Sequence, residues 1–245
     1  MDQLKKFRKR IKLSLSLGTW MQIQSSVVAK NLSLSNAEWI VIDLEHGFFS
    51  YDRIPELIEV IKNQKKLVFA RLAENSNKEI KKLLESGVDG LIFPRIKDGK
   101  EIKRYIANSY YPPIGNRSFG FSNDNNYGLK KKNLNFNPFL IAMIENMSAV
   151  NDLEEIVKSK RLDAIIVGKY DLQLSFKNNN KFNKFNKFKK FDDLINYIFK
   201  VAKKNNIVYG IHIVENNKNE VQKFKKKGCN FLPVSIDTVH LQKIL

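Results

Sequence analysis

The sequence predicts an α/β protein built as one (β/α)8 TIM barrel, and three observations carry that prediction. Eight short runs of β-branched and aliphatic residues recur along the chain, amphipathic stretches of helical period separate them, and the 245 residues match the roughly 250 typical of such a barrel. Strict alternation argues for parallel βαβ units. The near-continuous apolar cores of the runs are how strands covered on both faces read. An apolar content of 43% is enough for a sizeable core. A single domain over residues 1–245 is therefore expected.

The elements follow in order. The first strand is SLGTWM (16–21) and the second WIVIDLEH (39–46). YDRIPELIEVIKNQ then places Ile54, Leu57, Ile58 and Ile61 on one helical face. The third strand, LVFARL (67–72), precedes NKEIKKLLESG, which groups Ile80, Leu83 and Leu84 and stops at Gly87. Next come the strands GLIFPRI (90–96), FLIAMIE (139–145) and AIIVGKYD (164–171), with the helix DLEEIVKS before the last. DDLINYIFKVAKK leads to the strand IVYGIHIV (207–214), and NEVQKFKKKG, ending at Gly228, leads to FLPVSID (231–237). Little chain follows, so a shortened eighth helix is expected. Two segments break the rhythm. Residues 107–138 read as a long loop rich in Asn, Gly and aromatics, and such loops in compact domains are usually functional or disordered. Residues 177–190, KNNNKFNKFNKFKK, read as a low-complexity basic insertion that either is solvated or covers the mouth as a lid.

The bulk composition narrows the class. The formal net charge is +18, a balance that suits acidic small molecules, anionic lipid or nucleic acid. The lysines spread along almost every helix, so the charge reads chiefly as compositional background. Basic–aromatic interleaving at 177–190 would suit single-stranded nucleic acid by stacking, but nucleic acid is not the expected partner. The one cysteine, Cys229, excludes a disulfide framework. No signal-like apolar segment and no apolar run of about 18 residues occurs, so a cytoplasmic protein without a membrane span is expected. No GxGxxG follows a strand and no GxxxxGK[ST] is present, which excludes the common nucleotide fingerprints.

Polar residues at the C-terminal strand ends are where barrels of this kind hold their chemistry. Strand 2 ends in Asp43, Glu45 and His46, strand 3 near Arg71, strand 5 in Glu145 and strand 6 in Asp171. Two carboxylates on adjacent strands suit a hard divalent cation, Mg²⁺ or Mn²⁺, with Co²⁺ as a further choice. Such an ion chelates a 2-oxo acid and acts on it as a Lewis acid. Arg71 can offer two parallel N–H donors to a carboxylate or enolate oxygen. His46 is a residue type suited to proton transfer, with Asp43 available to orient its ring. Taken singly, a strand-end Glu is often a salt-bridge partner, a lone His is more often structural, and Asp43 could cap a loop. Together they point to one site.

These segments resemble the HpcH/HpaI aldolases, the class II, metal-dependent pyruvate aldolases. The matching stretches are LGTW (17–20), IDLEHG (42–47), AR with LLESGVDGLIFPRI (70–96), YPPIGNR (111–117), IENMSAV (144–150), VGKYDLQLS (167–175) and, more weakly, KKGCNFLPVSIDTVHL (226–241). The resemblance implies that Glu145 and Asp171 are the metal ligands, His46 the base, and Arg71 the holder of the pyruvyl oxygen. It implies that Glu85 stands where the family has an aspartate paired with the histidine. It implies that Gly168 belongs to the loop whose backbone binds the pyruvate carboxylate, and that Trp20 forms a pocket wall. Lys169 and Tyr170 stand where the family has Pro and a small residue, and Met143 where a glutamine is common. The expected reaction is the cleavage of a 4-hydroxy-2-oxo acid to pyruvate and an aldehyde, or its reverse. The family also implies a homo-oligomer, commonly a hexamer. Alternative expectations are a barrel acting on a phosphoenolpyruvate or acyl-CoA substrate, and a nucleic-acid-binding protein.

Overall fold

The computed structural model describes residues 2–129, 136–181 and 188–242. Its elements, in order, are α1 (Asp2–Arg10), β1 (Ser16–Met21), α2 (Ser26–Ser33), β2 (Trp39–Asp43), α3 (Ile54–Lys62), β3 (Leu67–Arg71), α4 (Asn77–Glu85), β4 (Gly90–Phe93) and α5 (Gly99–Ser109). They continue with β5 (Phe139–Ile144), α6 (Met147–Asn151), α7 (Leu153–Val157), β6 (Ala164–Val167), α8 (Lys169–Lys181), α9 (Phe191–Lys204), β7 (Val208–Ile211), α10 (Lys218–Lys226), β8 (Phe231–Ile236) and α11 (Asp237–Gln242). The helices start where side chains can take the orphan N–H groups of a first turn: Ser25, Ser76, Asp98, Asn146 and Asn217 each accept from a backbone N–H two or three residues on.

The eight strands form one sheet in the order β7-β6-β5-β4-β3-β2-β1-β8, and every pairing between them is parallel. A parallel bridge between Ile213 and Val234 brings the two outer strands together and closes the barrel. Successive side chains alternate between the barrel interior and the helix layer. Along β2, Trp39 and Val41 belong to the interior cluster and Ile40 and Ile42 to the outer one. The same parity separates Phe69 from Val68 and Ala70 on β3, and Phe139, Ile141 and Met143 from Leu140, Ala142 and Ile144 on β5. The floor of the interior is aromatic, with Trp39 and Phe231 stacked at 4.1 Å between centroids. Helix α1 plugs it: Leu4 and Phe7, with Ile11 just after the helix, join the interior cluster, and Phe7 meets Phe139 edge-on at 5.4 Å.

The structure corrects the sequence reading in five places. The basic N-terminus, read only as not a signal peptide, is the plugging helix α1. Strand 2 stops at Asp43, because Gly47 N–H turns back onto the Asp43 carbonyl at 3.0 Å. Strand 6 stops at Val167 and gives way at once to α8, whose first turn closes from Leu172 N–H to the Gly168 carbonyl at 3.1 Å. The expected loop 107–138 begins inside α5, which runs to Ser109; its residues 130–135 lie outside the described ones. Of the low-complexity segment, residues 177–181 continue α8 and Phe188 packs on Tyr197 at 5.1 Å; residues 182–187 lie outside the described ones. The short helix expected after β8 is α11. None of the described helices is long and apolar enough to cross a membrane.

Candidate active site

The alternation that fills the barrel also delivers its top layer. Continuing each interior set by two residues brings Trp20, Asp43, Arg71, Glu145, Gly168 and His212 to the C-terminal mouth. Asp43 and Arg71 are direct register partners across β2 and β3. Both are buried. Arg71 Nε and Nη2 donate to Asp43 Oδ1 and Oδ2, each at 2.7 Å, a bidentate pair. Arg71 Nη1 lies 2.9 Å from Glu45 Oε2. Burial pushes the Asp43 pKa up, but the hydrogen bonds and charge of Arg71 outweigh it and hold the carboxyl below its usual range. One pair of parallel donors on Arg71, Nε and Nη2, is therefore taken by Asp43. Nη1 and Nη2 carry two N–H groups each, so one on each is left for a ligand oxygen beyond Asp43 and Glu45.

Asp43 does not orient the His46 ring. Its Oδ1 takes the backbone N–H groups of Glu45 and His46, at 3.2 and 3.4 Å, and its Oδ2 takes Gln22 Nε2 at 2.9 Å. This makes it the anchor of the β2 turn, while His46 stands exposed at the rim. Glu85 ends α4, with its Oε1 3.7 Å from Lys81 Nζ. Among the described residues no hydrogen bond or ion pair joins it to His46. Helix α4 lies in the outer layer, and Glu85 faces the loop at Gly120.

Glu145 follows β5 and is buried. Its Oε2 accepts the backbone N–H of Arg95 at 2.6 Å. Arg95 adopts a left-handed conformation, φ 52°, that turns this N–H inward. Its guanidinium reaches Glu45 Oε1 at 3.1 Å. Desolvation raises the Glu145 pKa to about 7, with Glu45 and Asp171 adding repulsion and the Arg95 N–H and Arg71 opposing it. Gly168 leaves the space that Glu145 fills: a Cβ there would stand 2.7 Å from Glu145 Oε1.

Asp171, read as a strand-end residue, instead sits exposed in the first turn of α8, together with Lys169 and Tyr170. The Gly168 N–H is committed to the Ile144 carbonyl at 3.1 Å. The donors left at this turn are the N–H groups that open α8, which have no intrahelical acceptor and favour an anion.

The donor set fits a hard divalent cation. One carboxylate is buried and cradled by a glycine, a second, Asp171, is close enough for its charge to act on the first, and both are oxygen donors. Among the described residues no group of three or more His, Cys, Asp and Glu gathers at ligand distance. Two protein ligands with the remaining positions left to water and substrate is the usual arrangement for Mg²⁺.

Trp20 is fully buried beneath these groups rather than forming an open wall. The Arg71 guanidinium lies 4.5 Å from its ring centroid, and His212 stacks on it at 4.6 Å with 13° between planes. Sequence reasoning missed Arg95, Gln22 and His212. His212 was legible in principle, since it follows Val208 and Gly210 with interior parity. Burial, and then the nearby Arg71 charge, lower its pKa to about 3, so the ring is neutral.

A sequence model of the HpcH/HpaI aldolase/citrate lyase family matches residues 16–243. Among curated relatives, the 2-dehydro-3,6-dideoxy-6-sulfogluconate aldolase of Pseudomonas putida is 26% identical over 163 residues, 65% of this chain and 64% of that protein. The match thus spans slightly less than two thirds of that relative's length. The 2-keto-3-deoxy-L-rhamnonate aldolase of Salmonella gallinarum is 24% identical over 91% of this chain and 83% of that protein. Among solved structures, an HpcH/HpaI aldolase/citrate lyase family protein from Burkholderia cenocepacia superposes with a TM-score of 0.86 at 19% identity, covering 97% of this chain and 95% of that one.

Proposed function

The chain belongs to the HpcH/HpaI aldolase/citrate lyase family, and from that premise we propose that it is a divalent-metal-dependent aldehyde-lyase. It cleaves a 4-hydroxy-2-oxo acid to pyruvate and an aldehyde, or runs the aldol addition. The observation that carries this reading is Glu145: a buried carboxylate held by the Arg95 N–H, fitted against Gly168 and within electrostatic reach of Asp171, at the mouth of a barrel. The aldolase names of two relatives support the same reaction class.

Glu145 and Asp171 would hold the ion, with Mg²⁺, Mn²⁺ and Co²⁺ all compatible with two carboxylates. When bound, it supplies Lewis-acid polarisation of the 2-oxo acid. The opening N–H groups of α8 bind the substrate carboxylate. Arg71, locked by Asp43 and backed by Trp20, presents its remaining Nη edge to the pyruvyl oxygen. His46 takes the proton of the C4 hydroxyl, directly or through a water. The C3–C4 bond breaks, the aldehyde carbonyl forms at C4, and the electron pair passes to the pyruvyl unit. That unit takes a proton at C3 and leaves as pyruvate.

The test needs no knowledge of the aldehyde. Deuterium incorporation at the pyruvate methyl group, followed by NMR in D₂O with Mg²⁺, Mn²⁺ or Co²⁺, is expected, and EDTA is expected to stop it. Absence of exchange with every ion would sink the proposal.

A further inference from the structure

The seam between β1 and β8 carries a set of hydrogen bonds that ends on the Asp43–Arg71 pair. Along this ladder the register slips by one residue, from Gly18 opposite Pro233 to Trp20 opposite Ile236, and Ser235, left-handed at φ 62°, lies in the slip. Irregularities of this kind re-aim side chains at the rims of barrels. Just past the slip stands Asp237, which is buried. Its Oδ1 accepts the backbone N–H groups of Gln22 at 2.9 Å and Thr238 at 2.8 Å, and its Oδ2 those of Gln22 at 3.0 Å and Ile23 at 2.9 Å. The backbone that continues β1 beyond Met21 is thereby fixed to the end of β8.

The Gln22 side chain carries this connection across the mouth. Its Oε1 accepts from Thr238 Oγ1 at 3.2 Å, and its Nε2 donates to Asp43 Oδ2 at 2.9 Å. One orientation of the amide serves, because an ionised carboxylate only accepts and must meet the NH₂ end. The two oxygens of Asp43 are braced from different sides. Oδ1 takes two backbone N–H groups of the β2 turn besides Arg71 Nε. Among the described residues, Oδ2 takes Gln22 Nε2 and Arg71 Nη2 alone. Without the Gln22 donor the carboxylate is free to turn about its Cβ–Cγ bond on that side, and the guanidinium paired with it turns too.

Resting on the aldolase reading above, we propose that Gln22 is a positioning residue for Arg71. It acts through Asp43 and is itself held by Asp237 and Thr238, so the closure of the barrel at β8 sets the plane in which Arg71 meets the pyruvyl oxygen. That contact strengthens as negative charge develops on the oxygen, so its misplacement costs turnover more than binding. Among the described residues no hydrogen bond joins Gln22 to Glu145 or Asp171, and ion affinity is untouched.

The experiment measures methyl deuterium exchange of pyruvate in D₂O for the full chain, Gln22→Met, Thr238→Val and the double variant. It yields kcat and KM for each, with Mn²⁺ affinity alongside. Gln22 and Thr238 are half-buried, and Gln22→Met keeps the side-chain length, so these variants fold. Gln22→Met is expected to lower kcat about tenfold, the lower range for a hydrogen bond to a charged group. Its KM for pyruvate and its Mn²⁺ dissociation constant are expected to stay within about twofold of the parent. Thr238→Val, which loosens the other end of the same amide, is expected to lower kcat about threefold. The double variant is expected to fall no further than Gln22→Met, since both changes act on one group. Exchange by the parent with kcat unchanged in Gln22→Met overturns the positioning role and leaves the aldolase reading standing. Losses that multiply in the double variant, or a fall in Mn²⁺ affinity that matches the fall in kcat, overturn it as well. Absence of exchange by the parent with every ion overturns both readings together.

Discussion

Gly168 and Glu145 occupy one volume between β6 and β5: a Cβ on Gly168 would lie 2.5 Å from Glu145 Cγ and 2.7 Å from Oε1. The glycine is needed for space here, since the buried carboxylate can stand at the mouth only where its neighbour has no side chain. Gly168→Ala is therefore expected to displace the carboxylate while leaving the strand ladder intact. Divalent-ion affinity, read by Mn²⁺ titration, should fall by about 10–100-fold, as when groups that orient a ligand are lost. A variant that binds Mn²⁺ as tightly as the parent would remove Glu145 from the ligand set.

Asp43 and Arg71 are a buried ion pair, and removing one partner strands the other. Asp43→Asn is expected to cost about 3–5 kcal/mol of stability, measured as a lower urea midpoint at unchanged slope. Glu45→Gln, which touches Arg71 only at Nη1, should cost less. Equal losses in the two variants would contradict the bidentate pairing as the anchor of the mouth.

Glu145 and His212 pull pH-dependent stability in opposite directions. The Glu145 pKa rises from 4.5 to about 7 on folding, so the native state holds the extra proton between those values and stability falls as pH rises through them. The His212 pKa drops from 6.5 to about 3, so the unfolded state holds the extra proton and stability falls as pH decreases from 6.5 towards 3. Between pH 4.5 and 6.5 the two slopes oppose each other. His212→Leu should unmask the Glu145 slope and become relatively more stable on acidification. Glu145→Gln should unmask the His212 slope and become relatively less stable. The upper limit of each slope is about 1.4 kcal/mol per pH unit. Urea titrations at pH 4.5, 5.5 and 6.5 that give parallel curves for the two variants would refute both assignments.

His46 is exposed at the rim, and among the described residues no hydrogen bond or ion pair joins it to Glu145 or Asp171. His46→Ala should lower kcat by roughly 10²–10⁴-fold, the usual contribution of a general base, while the Mn²⁺ dissociation constant stays unchanged. Undiminished release of pyruvate by the variant would exclude His46 as the base.

The sequence by itself determined the barrel, because eight apolar runs at this spacing can bury both faces only as parallel strands wrapped by helices. It also determined which residues reach the mouth. Period-two alternation carries Asp43, Arg71 and Glu145 inward from Trp39, Leu67 and Phe139, and the same parity carries His212. Distances across the mouth were decided only by the tertiary structure. Asp43 meets Arg71 because β2 and β3 pair in that register, and strand register is set between strands, not within one. Asp171 reads as the end of an apolar run, yet β6 stops four residues earlier. There the chain opens α8 directly after Gly168. The helix α1 was hidden for the same reason. Its two apolar residues, Leu4 and Phe7, with Ile11 just after it, are too sparse to signal a core element until a ring of aromatic side chains at the barrel floor gives them a surface to cover.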